Sequence, residues 1–183
     1  MGRYAALLRG VNLGSRNRIG MADLRRIATD LGYEDVQTYL QSGNLVFGAG
    51  NGADPVRLAG EIRQALVDQL RLDVPVVVRT GPELAALVGA NPYESRQPED
   101  VKLLVAFLAE PPKADRVSGL AVPAGDTAEF TLADSGRDLY LHYPDGYGRT
   151  KCDNNYLERR LAVVSTSRNW KTVKALAGLT AGN

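Results

Sequence analysis

A single cysteine, a single histidine, a single tryptophan and two methionines occur in 183 residues. One thiol excludes an intrachain disulfide and any multi-cysteine zinc centre. His142 stands apart from any metal-like cluster, and no Ser–His–acid triad can be assembled from recognisable motifs. Long hydrophobic runs are lacking as well. The longest, residues 103–109, falls far below the roughly 20 residues needed to span a bilayer. Arg9 interrupts the N-terminal apolar stretch, which excludes a signal peptide, and Ala6 stands where a myristoylation signal requires Ser or Thr. The expectation is a cytoplasmic protein with no cofactor and no metal.

What is present is an ordinary globular composition. A hydrophobic fraction of 44% with 23% charged residues argues for a packed core rather than disorder. The net charge of +1 conceals a strong asymmetry. Residues 1–30 carry six Arg against Asp23 and Asp30, residues 31–148 are acidic by eight charges, and residues 149–174 carry seven basic groups against Asp153 and Glu158. If the two basic ends meet in space they form one patch for an anionic partner, with the helix N-termini nearby favouring negative charge. If they do not, they are solvated arginines on separate faces.

Hydrophobic periodicity orders the first half. Residues 4–8 form an apolar strand, a polar Gly-rich loop covers 9–20, and Leu24, Ile27, Ala28 and Leu31 recur at helical spacing from Met21. Gly32 is placed as the residue ending that helix. Residues 36–40 and 44–47 read as a hairpin around Gln41-Ser42-Gly43. Asp54 is a helix cap with Pro55 at the first helical position. Leu58, Ile62, Ala65 and Leu66 mark the buried face of that helix, and the β-branched run 74–78 is a strand. The order β-α-β-β-α-β is the split-βαβ, ferredoxin-like arrangement. Its antiparallel sheet carries both helices on one face and leaves the other for a second domain to cover.

Beyond it the pattern is less regular. It comprises a short helix at 82–88, a strand at 101–108, a short helix near 114–117, a hairpin of 127–132 with 138–143, and a helix near 153–161. The closing strand is placed at Val163-Val164, and the last helix opens at Thr166 or Ser167 as cap, so that Arg168 and Asn169 lie in its first turn. The expected architecture is α/β of the α+β type: two tandem ferredoxin-like domains, 1–80 and 81–183, with antiparallel sheets and a helical C-terminal tail.

Three polar segments carry candidate chemistry. The loop Arg9-Gly10-Val11-Asn12-Leu13-Gly14-Ser15-Arg16-Asn17-Arg18 precedes a helix, where backbone N–H groups, flexible glycines and arginines suit an anion. It matches no nucleotide fingerprint, and a solvated connection is the plain alternative. Ser42-Gly43-Asn44 sets a hydroxyl and an amide beside it, although turn chemistry alone accounts for these residues. Tyr143-Pro144-Asp145-Gly146-Tyr147-Gly148-Arg149-Thr150-Lys151 interleaves aromatic and cationic groups, suited to stacking and phosphate contact or simply to a turn with two packed tyrosines. Trp170 reads as core, and Cys152 as a small buried apolar residue.

Taken together, Leu7-Leu8-Arg9-Gly10-Val11-Asn12, Met21 with Leu24, Thr38-Tyr39-Leu40-Gln41-Ser42-Gly43-Asn44, Tyr143-Pro144-Asp145-Gly146-Tyr147-Gly148 with Lys151, and Thr166-x-Arg168-Asn169-Trp170-Lys171-Thr172-Val173 resemble the bacterial family called domain of unknown function 1697. The resemblance runs over nearly the whole chain. It implies two ferredoxin-like domains and a cytosolic protein, and it brings no catalytic assignments. The chain departs from the usual family pattern at Gly20 and Cys152.

The leading expectation is an anion-recognising protein that takes a phosphorylated metabolite, a nucleotide or RNA between its halves. Its contacts would be Arg9, Asn12, Ser42, Asn44, Lys151, Arg168 and Asn169, with Tyr147 stacking. The alternatives are an enzyme on a phosphorylated substrate, with Lys151 or Tyr147 as acid or base, and a structural or interaction protein whose polar motifs hold the domains together.

Overall fold

The computed structural model describes residues 1–182. The chain forms two compact units, one of Met1–Ala85 with the C-terminal stretch from Leu176, the other of Ala86–Ala175. No helix among the described residues is long and apolar enough to cross a membrane.

In the first unit β1 (Gly2–Leu8), α1 (Met21–Asp30), β2 (Glu34–Tyr39), β3 (Asn44–Ala49), α2 (Pro55–Leu70) and β4 (Val76–Thr80) follow in order, and α3 (Gly81–Gly89) comes next. The strands lie β2-β3-β1-β4, with every pairing antiparallel. One core unites Leu24 and Ile27 of α1, Leu58, Ile62 and Leu66 of α2, and Tyr4, Ala6, Leu45, Phe47 and Val78 of the sheet. Both helices therefore cover one face, as the β-α-β-β-α-β order requires. The alternate residues Ala5, Leu7, Val46 and Val77 are buried on the opposite face.

Helix ends follow local rules. Tyr33 N–H donates to Ala28 and Gly32 N–H to Thr29, closing α1 through Gly32 at φ 81°. Asp54 accepts from Val56 N–H at 3.0 Å and Pro55 opens α2. One boundary moved: β4 begins at Val76, two residues later than its β-branched run. Pro75 has no N–H for a ladder, so the strand starts after it and extends to Arg79 and Thr80. Gly81 then begins α3 where a Cβ would stand 2.5 Å from the Thr180 carbonyl oxygen, an approach only glycine permits.

The second unit repeats this topology without repeating the residues: β5 (Leu103–Leu108), α4 (Ala114–Ser118), β6 (Glu129–Leu132), β7 (Asp138–His142), α5 (Asn154–Leu161) and β8 (Ser165–Asn169), after which α6 (Trp170–Thr180) begins in this unit and ends in the C-terminal stretch of the first. Its sheet runs β6-β7-β5-β8. Leu104, Ala106, Leu139, Leu141, Leu157, Leu161 and Cys152 form the core beneath α5.

The closing strand corrects the sequence expectation. It is Ser165–Asn169, not Val163-Val164, and residues 166–169 do not open a helix. Its two serines are satisfied from α5. Asn154 Oδ1 accepts from the Ser165 and Ser167 hydroxyls at 2.9 and 3.0 Å, and Glu158 accepts from Ser165 N–H at 2.7 Å. Paired in this way, a serine-rich strand can be buried at little cost. Asn169 is then the cap of α6, its Oδ1 accepting from Thr172 N–H at 2.9 Å.

Candidate functional site

The loop after β1 is an ordered structure. Gly10, Asn12, Gly14 and Asn17 all take positive φ, between 49° and 66°, folding residues 10–17 into a knot. Asn12 N–H donates to Asn17 O at 3.1 Å and Asn17 Nδ2 to Gly10 O at 3.3 Å. The Asn12 side chain clips the loop shut: Nδ2 donates to Ile19 O at 3.0 Å and Gln41 O at 2.7 Å, and Oδ1 accepts from Ile19 N–H at 3.0 Å. Asn12 thus joins this loop to the β2–β3 turn, with its amide occupied.

The turn itself is built by Leu40 at φ 58° and Gly43 at φ 74°. A Cβ on Gly43 would lie 2.5 Å from Val11 Cγ2, which ties the glycine to this junction. Asn44 is wholly buried and donates to Tyr39 O and Ser42 Oγ, both at 2.9 Å. Ser42 is exposed, while Arg9 is half-buried with its N–H on Pro75 O. The structure therefore brings Arg9, Asn12, Ser42 and Asn44 to one end of the first sheet, where Asn12 and Asn44 build the scaffold.

A depression of about 400 Å³ opens at this end, lined by Asn12, Gly14, Arg18, Ile19, Gly20 and Gln41. Arg16 and Arg18 are exposed, and neither has a hydrogen-bond or ion-pair partner among the described residues. Other arginines of this unit differ: Arg3 pairs with Asp35, Arg26 with Asp23 and Asp30, and Arg63 with Asp73. The carboxylate nearest Gly20, that of Asp23, is 3.5 Å from Arg26.

The Tyr143–Lys151 loop does gather an anion, and the anion is the protein's own. Asp126 Oδ2 accepts from Thr150 Oγ1 at 2.7 Å, Lys151 N–H at 2.6 Å and Cys152 N–H at 3.3 Å, and Oδ1 accepts from Ala128 N–H at 2.9 Å. Desolvation pushes the Asp126 pKa upward, but the Thr150 hydroxyl and these three backbone donors outweigh it and hold the carboxyl down at about 2. Nothing near Lys151 in sequence pointed to a carboxylate some 25 residues away. Its Gly125-Asp126-Thr127 context reads as an ordinary turn.

Around this contact lies a depression of about 210 Å³ lined by Asp126, Thr127, Tyr143, Asp145, Arg149 and Lys151, among others. Asp145 accepts from Thr127 Oγ1 at 2.7 Å. Two carboxylates thus accompany the two cations, so the site is electrostatically mixed. The Lys151 side chain is exposed, and Tyr147 packs edge-on against Tyr143 at 5.3 Å. Tyr143 donates to Cys152 O at 2.8 Å. Cys152 is fully buried, and desolvation, aided by Asp126 and Asp153, raises its thiol to about 11.

Arg168 lies inside β8, only 8% exposed, donating to Thr166 Oγ1 at 2.8 Å and Ser167 O at 2.9 Å. Burial lowers its pKa to about 10. Trp170 is buried and tilted against Tyr140 at 6.4 Å, a core position. His142 Nδ1 sits 3.4 Å from Glu129, which also receives Arg96. Among the described residues no group of His, Cys, Asp and Glu could hold a metal ion.

Comparison with known proteins bears on the fold and the family. A conserved bacterial protein from Streptococcus pneumoniae, SP0830, superposes with a TM-score of 0.75 over 98% of each chain at 22% identity, which supports the shared fold. No curated protein matches this chain. The sequence profile of the protein family of unknown function DUF1697 matches residues 1–140, and the chain belongs to that family.

Proposed function

We propose that this chain is an anion-recognising, cytosolic protein that takes a ligand of the phosphate class, whether phosphorylated metabolite, nucleotide or RNA, at the loop end of the first unit. The observation that carries this reading is the pair Arg16 and Arg18, two exposed guanidinium groups without partners among the described residues, on a loop held by its own hydrogen bonds. Guanidinium forks match phosphate oxygens in bidentate geometry. A loop already ordered loses less freedom on binding than a flexible one. Ser42 and the edge of the Gln41 turn offer further polar contacts beside the same depression.

The second unit supports a different reading of its own motif residues. Burial of Arg168 and capping by Asn169 favour structural roles there, and Asp126 already fills the backbone cradle ahead of α5. A thermal-shift series with pyrophosphate, sugar phosphates, nucleotides and short RNA tests the proposal, since a ligand at 100 times its Kd adds about 2.7 kcal/mol. Replacing Arg16 and Arg18 together with Ala should abolish the shift and leave unliganded stability within about 0.5 kcal/mol of the parent. The shift should also shrink as salt is added. A parent protein unmoved by every anion, or a double variant that still responds fully, overturns the reading.

A further inference from the structure

The same end of the first unit carries a feature that phosphate recognition alone leaves unexplained. Leu13 is 72% exposed and Leu40 57% exposed, the former on the Arg9–Gly20 loop and the latter on the β2–β3 turn. Their neighbours are tied together, because Asn12 Nδ2 donates to Gln41 O at 2.7 Å. Asn12 and Gly14 flank Leu13, Gln41 follows Leu40, and all three of those residues line the depression. Two large apolar side chains, one on the loop and one on the turn, thus stand exposed beside residues of a concavity that Arg18 also lines. Leu40 does so from a left-handed backbone at φ 58°, which a bulky residue rarely adopts.

Resting on the phosphate-class reading, we infer that this surface binds single-stranded nucleic acid, with phosphates on Arg16 and Arg18 and bases against Leu13 and Leu40. Charge complementarity selects an anionic partner. Two cationic side chains two residues apart can engage more than one phosphate. The exposed apolar pair needs a ligand that also presents apolar faces, which inorganic phosphate and sugar phosphates lack and every base has. The depression is rimmed by the exposed residues Gly14, Arg18, Gly20 and Gln41, so a strand can pass across it.

The test is a titration of the full chain with pyrophosphate, ribose 5-phosphate, AMP, a tetraadenylate and poly-glutamate, repeated on a Leu13→Ser/Leu40→Ser variant. The tetraadenylate should bind at least tenfold tighter than AMP or ribose 5-phosphate. The double variant should lose about tenfold for tetraadenylate while keeping its affinity for pyrophosphate, which also shows that the loop is still folded. Pyrophosphate binding without a preference for the oligonucleotide, or an unchanged tetraadenylate affinity in the variant, overturns this inference and leaves the phosphate reading standing. AMP binding as tightly as the oligonucleotide assigns the surface to a free nucleotide. Poly-glutamate binding as tightly assigns it to an acidic protein partner. Either result also overturns it. Failure of every phosphate compound to bind the parent removes both readings.

Discussion

Replacing Asp126 with Asn should destabilise the second unit, and the loss should depend on pH with a definite sign. The Asp126 carboxyl titrates near 2 in the folded chain against an ordinary value of 3.8. A folded pKa below the unfolded one contributes stability that is present above the unfolded value and is lost as pH falls through the folded one. The shift corresponds to about 2 kcal/mol before screening by water. Asp126 is partly open to water, so screening cuts this to about 1 kcal/mol. Asn keeps the shape and one acceptor oxygen but turns an NH₂ toward donors such as Lys151 N–H, which Asp126 Oδ2 receives at 2.6 Å. Urea denaturation of parent and variant at pH 7, 5, 4, 3 and 2 measures the difference directly. It should hold near its full value at pH 5 and above, then narrow between about pH 4 and pH 2 as the parent's carboxylate is protonated. A gap that is absent at pH 7, or that stays constant down to pH 2, would refute the assignment of this carboxylate as the anion held by the Thr150 hydroxyl and the backbone N–H groups of Lys151 and Cys152.

Two further outcomes follow from buried groups. Cys152, fully buried with its thiol raised to about 11, should react with a thiol reagent at pH 8 far more slowly in native protein than in urea; equal rates would place it in contact with solvent. Asn169→Ala should remove the cap of α6 and cost about 1 kcal/mol in chemical denaturation. An unchanged midpoint would mean that the Thr172 N–H finds another acceptor.

The sequence by itself determined the first unit almost entirely. Leu24, Ile27, Leu58 and Ile62 recur at helical spacing, Gly32 and Asp54-Pro55 mark helix ends through purely local hydrogen bonds, and the order of elements leaves few topologies to choose among. These signals are legible because a helix face, a cap or a tight turn is decided within a few residues. The tertiary structure decided what depends on partners far along the chain. The Ser165–Asn169 strand shows no apolar alternation, because Asn154 and Glu158 of α5 satisfy its polar groups and allow its burial. The cradle ahead of α5 has the composition of an anion site, but only folding brings Asp126 into it from a distant turn. Sequence spacing puts Arg168 in a helix turn as an anion contact, and its place within β8, with the guanidinium on Thr166 Oγ1 and Ser167 O, withdraws it from solvent instead. At the other end of the chain Arg16 and Arg18 were visible as charges, and it is the absence of a facing carboxylate among the described residues that distinguishes them. Composition records which groups a chain carries; whether a group meets protein or water depends on contacts between residues that sequence spacing leaves far apart.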